Sequence, residues 1–154
     1  MKPIYDRGGH TVGWLEGNSV QDRIGLPDAV IREGAVFSAR CGCYLGQFDG
    51  GFFRDMCGCI VAFVEGAHGG AVLPRVKSAV CPAPAARGMP SPPAAGQAGA
   101  ERARPLLNWS ALGWASFLAG HPACWPWEVG PHGSTDADEK VSAFTGPERS
   151  ATDV

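Results

Sequence analysis

Apolar and polar positions in the first 70 or so residues recur with a period of 16 or 17. The first copy reads Ile4-Tyr5-Asp6, then Gly9, then Val12-Gly13-Trp14-Leu15-Glu16-Gly17. The second is Val20-Gln21-Asp22, Gly25, Ala29-Val30-Ile31 and Gly34. The third is Phe37-Ser38-Ala39, Gly42, Leu45-Gly46-Gln47-Phe48 and Gly50, and the fourth Phe53-Arg54-Asp55, Gly58, Val61-Ala62-Phe63-Val64-Glu65-Gly66. A unit of this length holds two short strands and two tight turns but not a strand, a helix and their connections. Each unit is therefore expected to be a hairpin. The recurring turn glycines fit, because tight hairpin turns need positive φ. Between them runs a column of small residues, Gly13, Ala29, Gly46 and Ala62, where backbones are expected to crowd together. Hairpins this small hold no core singly, so Val12, Trp14, Leu15, Leu45, Phe48, Val61, Phe63 and Val64 must be pooled about a common centre. The fold class expected is all-β, with four short hairpin repeats in one domain over 1–74.

Proline 27 precedes Asp28, which occupies the column held by Val12, Leu45 and Val61. A charge and a missing amide donor there predict that the second hairpin is irregular or solvent-exposed.

Beyond Leu73-Pro74 the pattern lapses into proline, alanine, glycine and arginine, which reads as a flexible linker over 75–105. Pro90 and Pro93 have P-x-x-P spacing, a polyproline II signal that a plain linker also satisfies. Leu107, Ala111, Trp114, Ala115 and Leu118 then fall at helical spacing. They predict a short amphipathic helix over 106–120, capped by Asn108 or Ser110 and ended by Gly120. No period is sustained over 121–154, which reads as a disordered tail.

Composition narrows the function classes. The chain has 154 residues, enough for one ordinary domain, with 22 glycines and 13 prolines that call for many turns. A net charge of −2 gives no basic field for nucleic acid, and Asp6, Asp22 and Asp55 offset the arginines of their hairpins. The start of the chain lacks the basic and apolar run of a secretory signal, and no window reaches the roughly 18 apolar residues of a membrane span. A cytoplasmic protein is the expectation, with membrane contact left to one face of the helix.

Cys41-Gly42-Cys43 and Cys57-Gly58-Cys59 flank equivalent turn glycines. Four thiolates suffice for tetrahedral zinc, and His10 stands in the same column as Cys43 and Cys59. Against zinc stands the C-x-C spacing, narrower than the usual C-x-x-C knuckle; free turn thiols and disulfides are the other readings. Asp6, Asp22 and Asp55 form a carboxylate column just before each turn, the place where an aspartate bonds the backbone two residues on. Trp14, Phe63 and Tyr5 would stack on a sugar if exposed and form core if buried. No G-x-S-x-G elbow or phosphate loop is present, so the residues point to no enzyme.

The runs Lys2-Pro3-Ile4-Tyr5-Asp6, His10-Thr11-Val12-Gly13-Trp14-Leu15, Gly51-Phe52-Phe53-Arg54-Asp55 and Phe63-Val64-Glu65-Gly66-Ala67 resemble the bacterial four-fold beta-flower domain over about residues 2–73. The phrase Trp114 to Leu118 is also similar to the segment that closes such chains. The resemblance implies four hairpin petals around a pseudo-four-fold axis and brings no activity with it. The function expected is a non-catalytic binding or adaptor module for an unidentified protein or small ligand. A zinc-stabilised module and a glycan-binding repeat are the alternatives.

Overall fold

The structure is a computed structural model that describes residues 1–77 and 102–120. Eight strands follow in order: β1 (Lys2–Asp6), β2 (Thr11–Glu16), β3 (Ser19–Gln21), β4 (Pro27–Arg32), β5 (Ala35–Ser38), β6 (Tyr44–Asp49), β7 (Phe52–Arg54) and β8 (Ile60–Val64). Each pairs antiparallel with its chain neighbours, and β8 pairs with β1, so the sheet closes as a barrel with no free edge. One short helix, α1 (Trp114–Leu118), follows.

The repeat is visible in the pairing register. Ile4, Val20, Val36 and Phe53 face Gly13, Ala29, Gly46 and Ala62, respectively. The four large residues are each 0% exposed and form the centre of the barrel. Burying an aliphatic or aromatic side chain of this size stabilises the fold by about 1.5–3 kcal/mol. The small column is the geometric counterpart. A Cβ on Gly13 would lie 2.5 Å from the Gln21 carbonyl oxygen, and one on Gly46 would overlap that of Arg54, so the next petal's backbone fills the space.

One step further along every petal the register slips. Tyr5 faces Thr11, Gln21 faces Pro27, Phe37 faces Tyr44 and Arg54 faces Ile60, which leaves Val12, Asp28, Leu45 and Val61 as the extra residue of a β-bulge. A bulge turns its extra residue toward the side its neighbour already occupies. Val12, Leu45 and Val61 accordingly pack on the inner cluster at the petal-tip end.

The second petal is not irregular. β4 runs unbroken from Pro27 to Arg32 with the same bulge as the other petals. Proline 27 takes the first position of the strand, where a missing donor is tolerated, and the bulge carries Asp28 to the barrel mouth.

The polar column before the tips caps the turns. Asp6 Oδ1 accepts the amides of Gly8 and His10, Asp22 Oδ1 those of Ile24 and Leu26, and Asp55 Oδ1 those of Cys57 and Cys59, all at 2.8–2.9 Å. In the third petal the Ser38 hydroxyl takes this place, accepting from Arg40 and Cys41.

Two short segments outside the strands are strapped onto petal tips in the same way. The Lys77 amide donates to the Gly9 carbonyl at 2.9 Å and the Leu106 amide to the Gly58 carbonyl at 3.0 Å. In each case the carbonyl of the residue two positions earlier, Arg75 or Arg104, stands where a glycine Cβ would be. Residues 75–77 and 102–105 of the expected linker are therefore docked, and 78–101 lie outside the described residues, as does the tail from 121. The start of the expected helix is extended instead. Ile60 donates to Asn108 O and accepts from the Ser110 amide, so Trp109 bridges β8 in parallel. The helix begins only at Trp114, with Gly113 at its N-cap and no side-chain cap, and ends at Gly120, which stands at φ 75°.

Candidate functional site

Helix α1 closes the mouth at the petal tips. Trp114 and Phe117 are buried in the same cluster as the barrel centre, with Trp114 edge-on to Phe53 at 5.2 Å and stacked on Phe117 at 5.5 Å. Phe117 reaches the floor beside Gly46, where an added Cβ would meet its ring at 3.0 Å. Three of the four bulge positions give this plug apolar side chains. The fourth is Asp28, and there the seal is incomplete. A cavity of about 520 Å³ opens between petals two and three and the helix, lined by Asp22, Asp28, Ser38, Arg40, Cys41, Ala115, Leu118 and Ala119.

The electrostatics of this cavity are uneven. The Asp28 side chain is 16% exposed, and burial raises its carboxyl above the usual range; Asp22 pushes the same way and Arg40 opposes. The Arg40 guanidinium is 87% exposed and stands 4.0 Å from Asp28, at the outer limit of an ion pair. Such a solvated partner offsets little of the cost of a half-buried charge. The cavity thus joins an inward carboxylate to an apolar helix wall. A smaller cavity of about 270 Å³ lies among the turns of the opposite end, over Leu15, Phe48 and Val64 with Lys2, Glu65 and His68 around it.

The cysteines separate into unlike pairs. Cys41 and Cys43 are joined as a disulfide across Gly42 with a Cα separation of 5.3 Å, and the Cys43 amide faces Cys41 Sγ at 3.4 Å. Cys59 is a free thiol, held above its ordinary value by burial and then by Asp55, with Arg54 opposing. Cys57 shares the Asp55 cap with Cys59. His10 sits at its own petal tip, with its ring 3.3 Å from Asp6. Among the described residues no three His, Cys, Asp or Glu side chains gather as a metal-binding group. Cys81 and Cys124 lie outside the described residues.

The aromatic candidates are core. Trp14, Phe63 and Tyr5 are 4%, 2% and 6% exposed and offer no ring face to a sugar. Phe63 packs on Tyr5 and Trp109. Sequence reasoning missed Arg54, which it counted only as a charge offset by Asp55. It is 1% exposed, lies over the Phe52 ring at 5.4 Å, and donates to the carbonyls of Gly58 and Leu106. Its signal was the oddity of a charge between Phe53 and Asp55 in a strand that is otherwise core.

Four bulged hairpins closed into one antiparallel barrel and plugged by a helix define the class of protein. The chain belongs to the 4-fold beta flower proteins, whose family model matches residues 2–118 and so includes the plug as well as the petals. No curated protein and no solved structure matches it. Among the described residues no helix is long and apolar enough to cross a membrane.

Proposed function

We propose that the protein is a non-catalytic binding module whose ligand seat is the mouth cavity under helix α1. One observation carries the reading: the petal repeat is broken at Asp28, where the fold calls for an apolar residue, and the break lines a cavity of about 520 Å³. Stability alone favours a valine or leucine there, since a half-buried carboxylate costs free energy. A half-buried carboxylate that opposes that gradient, in a concave site of mixed apolar and polar walls, supports ligand binding. The carboxylates of Asp6, Asp22 and Asp55 are engaged with backbone amides, which supports a structural use for that column over acid-base chemistry.

The test is amide-resolved NMR of the full chain against a set of small amines, acids, alcohols and heterocycles. Saturable shifts confined to residues 38–41 and 115–119 are expected. Turnover of a compound, or shifts gathered at the opposite end around Gly50 and Gly66, would defeat the reading.

A further inference from the structure

We infer that the mouth cavity selects organic cations, an ammonium or guanidinium carrying a short apolar arm. The inference rests on the mouth being the ligand seat and adds the ligand's class. The cavity has two kinds of wall. On one side Asp28 projects from the bulge of β4, with Asp22 beside it; on the other Ala115, Leu118 and Ala119 present small apolar groups from the helix. The charges do not balance inside. Asp22 and Asp28 contribute two negative charges, and the counter-charge, Arg40, lies almost wholly in solvent at 4.0 Å. Asp22 also spends one oxygen on the amides of Ile24 and Leu26, so it lends field more than contact. Asp28 is left as the group that a ligand cation would meet.

A bound cation would take over the role that Arg40 fills only from outside, and would do so where water is partly excluded and charge-assisted bonds are stronger. The elevated carboxyl of Asp28 agrees with this, because a group held above its ordinary value by burial gains from an adjacent positive charge. An anion would face two carboxylates. A neutral alcohol would gain the apolar wall alone.

The experiment titrates the full-length chain with butylammonium, butyrate and butan-1-ol at equal ionic strength, reading the amides of Ser38, Arg40, Ala115 and Ala119. Butylammonium is expected to bind at least about tenfold more tightly than the other two, a difference of about 1.4 kcal/mol. Asp28→Asn is expected to remove that preference while leaving butan-1-ol unchanged. Asp28→Val, which copies the residue at positions 12 and 61, is expected to remove the preference as well. Equal response to all three probes, or a preference that survives both variants, overturns the cation inference and leaves the seat standing. Absence of any response at the mouth overturns both.

Discussion

The buried guanidinium of Arg54 donates to the carbonyl of Leu106, 52 residues further along the chain, and to that of Gly58 in its own petal. One side chain therefore ties the strap of residues 102–110 to the fourth tip. Burial lowers its pKa from the ordinary value, with Asp49 and then Cys59 opposing. Both bonds leave Nη1, and Arg54→Lys keeps the charge but ends in a shorter side chain without the guanidinium plane that lies over Phe52. It is expected to cost about 1–3 kcal/mol, the range for leaving buried polar groups unpaired. Hydrogen exchange should show the Leu106 and Ile60 amides losing protection before the rest of the barrel does.

Gly9 and Gly58 are strap acceptors, and Gly17 is a turn glycine with open space around its Cα. All three stand at positive φ, so alanine costs each about 1 kcal/mol of backbone strain. At Gly9 and Gly58 the new methyl also collides with the Arg75 or Arg104 carbonyl. Gly9→Ala and Gly58→Ala are expected to lose about 1–3 kcal/mol more than Gly17→Ala in chemical denaturation. They should also free the amides of Lys77 and Leu106, respectively. Equal losses at all three sites would mean that the straps contribute nothing.

These features were unevenly legible in the chain. The centre was readable because Ile4, Val20, Val36 and Phe53 recur with a small residue facing each. The bulge was not, since Val12 and Val61 look like ordinary alternating strand residues and only pairing reveals that one residue is extra. That is why Asp28 points in sequence to an irregular or solvent-exposed petal, whereas the pairing matches that of the other petals, the bulge turns Asp28 into the mouth, and the exposed large apolar residues, Ile24 and Leu26, stand at the tip. The straps escaped notice for another reason: their contacts are made by backbone groups of Lys77, Arg104 and Leu106, which leave no side-chain signature. Asn108 looked like a helix cap because the same residue type also suits an extended bridge, and only the partner, Ile60, decides between them.

Glu33 is the non-glycine residue at positive φ among the described residues, 49°, in the two-residue turn Glu33-Gly34. Asparagine tolerates that region better than glutamate. Glu33→Asn is expected to raise stability by about 0.5–1 kcal/mol, measured as the denaturation midpoint at unchanged slope. A lower midpoint would show that the glutamate side chain matters more than its backbone.

The Asp28 carboxyl has a definite sign of pH dependence. Its folded pKa is raised above 3.8. Well below that pH both states hold the proton and no penalty exists. As pH rises the unfolded state ionises first, so stability falls until the folded carboxyl has also ionised, and is flat above. Asp28→Asn lacks this titration. The stability of the variant relative to the original chain should therefore climb as pH rises from about 3.8 and then level off. A difference independent of pH would mean that the carboxyl is not desolvated.

Chelation and reduction should have distinct consequences at the cysteine turns. With Cys41 and Cys43 joined to each other, EDTA is expected to leave the melting temperature unchanged. Reduction opens a loop of very few residues at Cys41–Cys43, a bridge worth no more than about 1 kcal/mol, so any larger loss comes from the disulfide of Cys57. A chelator-dependent loss of structure would instead make the two C-G-C turns a zinc site.

The most direct test of the account is Asp28→Val read twice in the full-length chain, by thermal melting and by NMR titration with butylammonium. If Asp28 serves a ligand against the preference of the fold, the variant melts higher, by several degrees for a gain of about 1 kcal/mol in a domain of this size, and binds butylammonium no better than a neutral alcohol. A variant that melts lower would show that Asp28 is part of the scaffold, and one that binds butylammonium as well as the original would overturn the assignment of Asp28 as the group that meets a ligand cation.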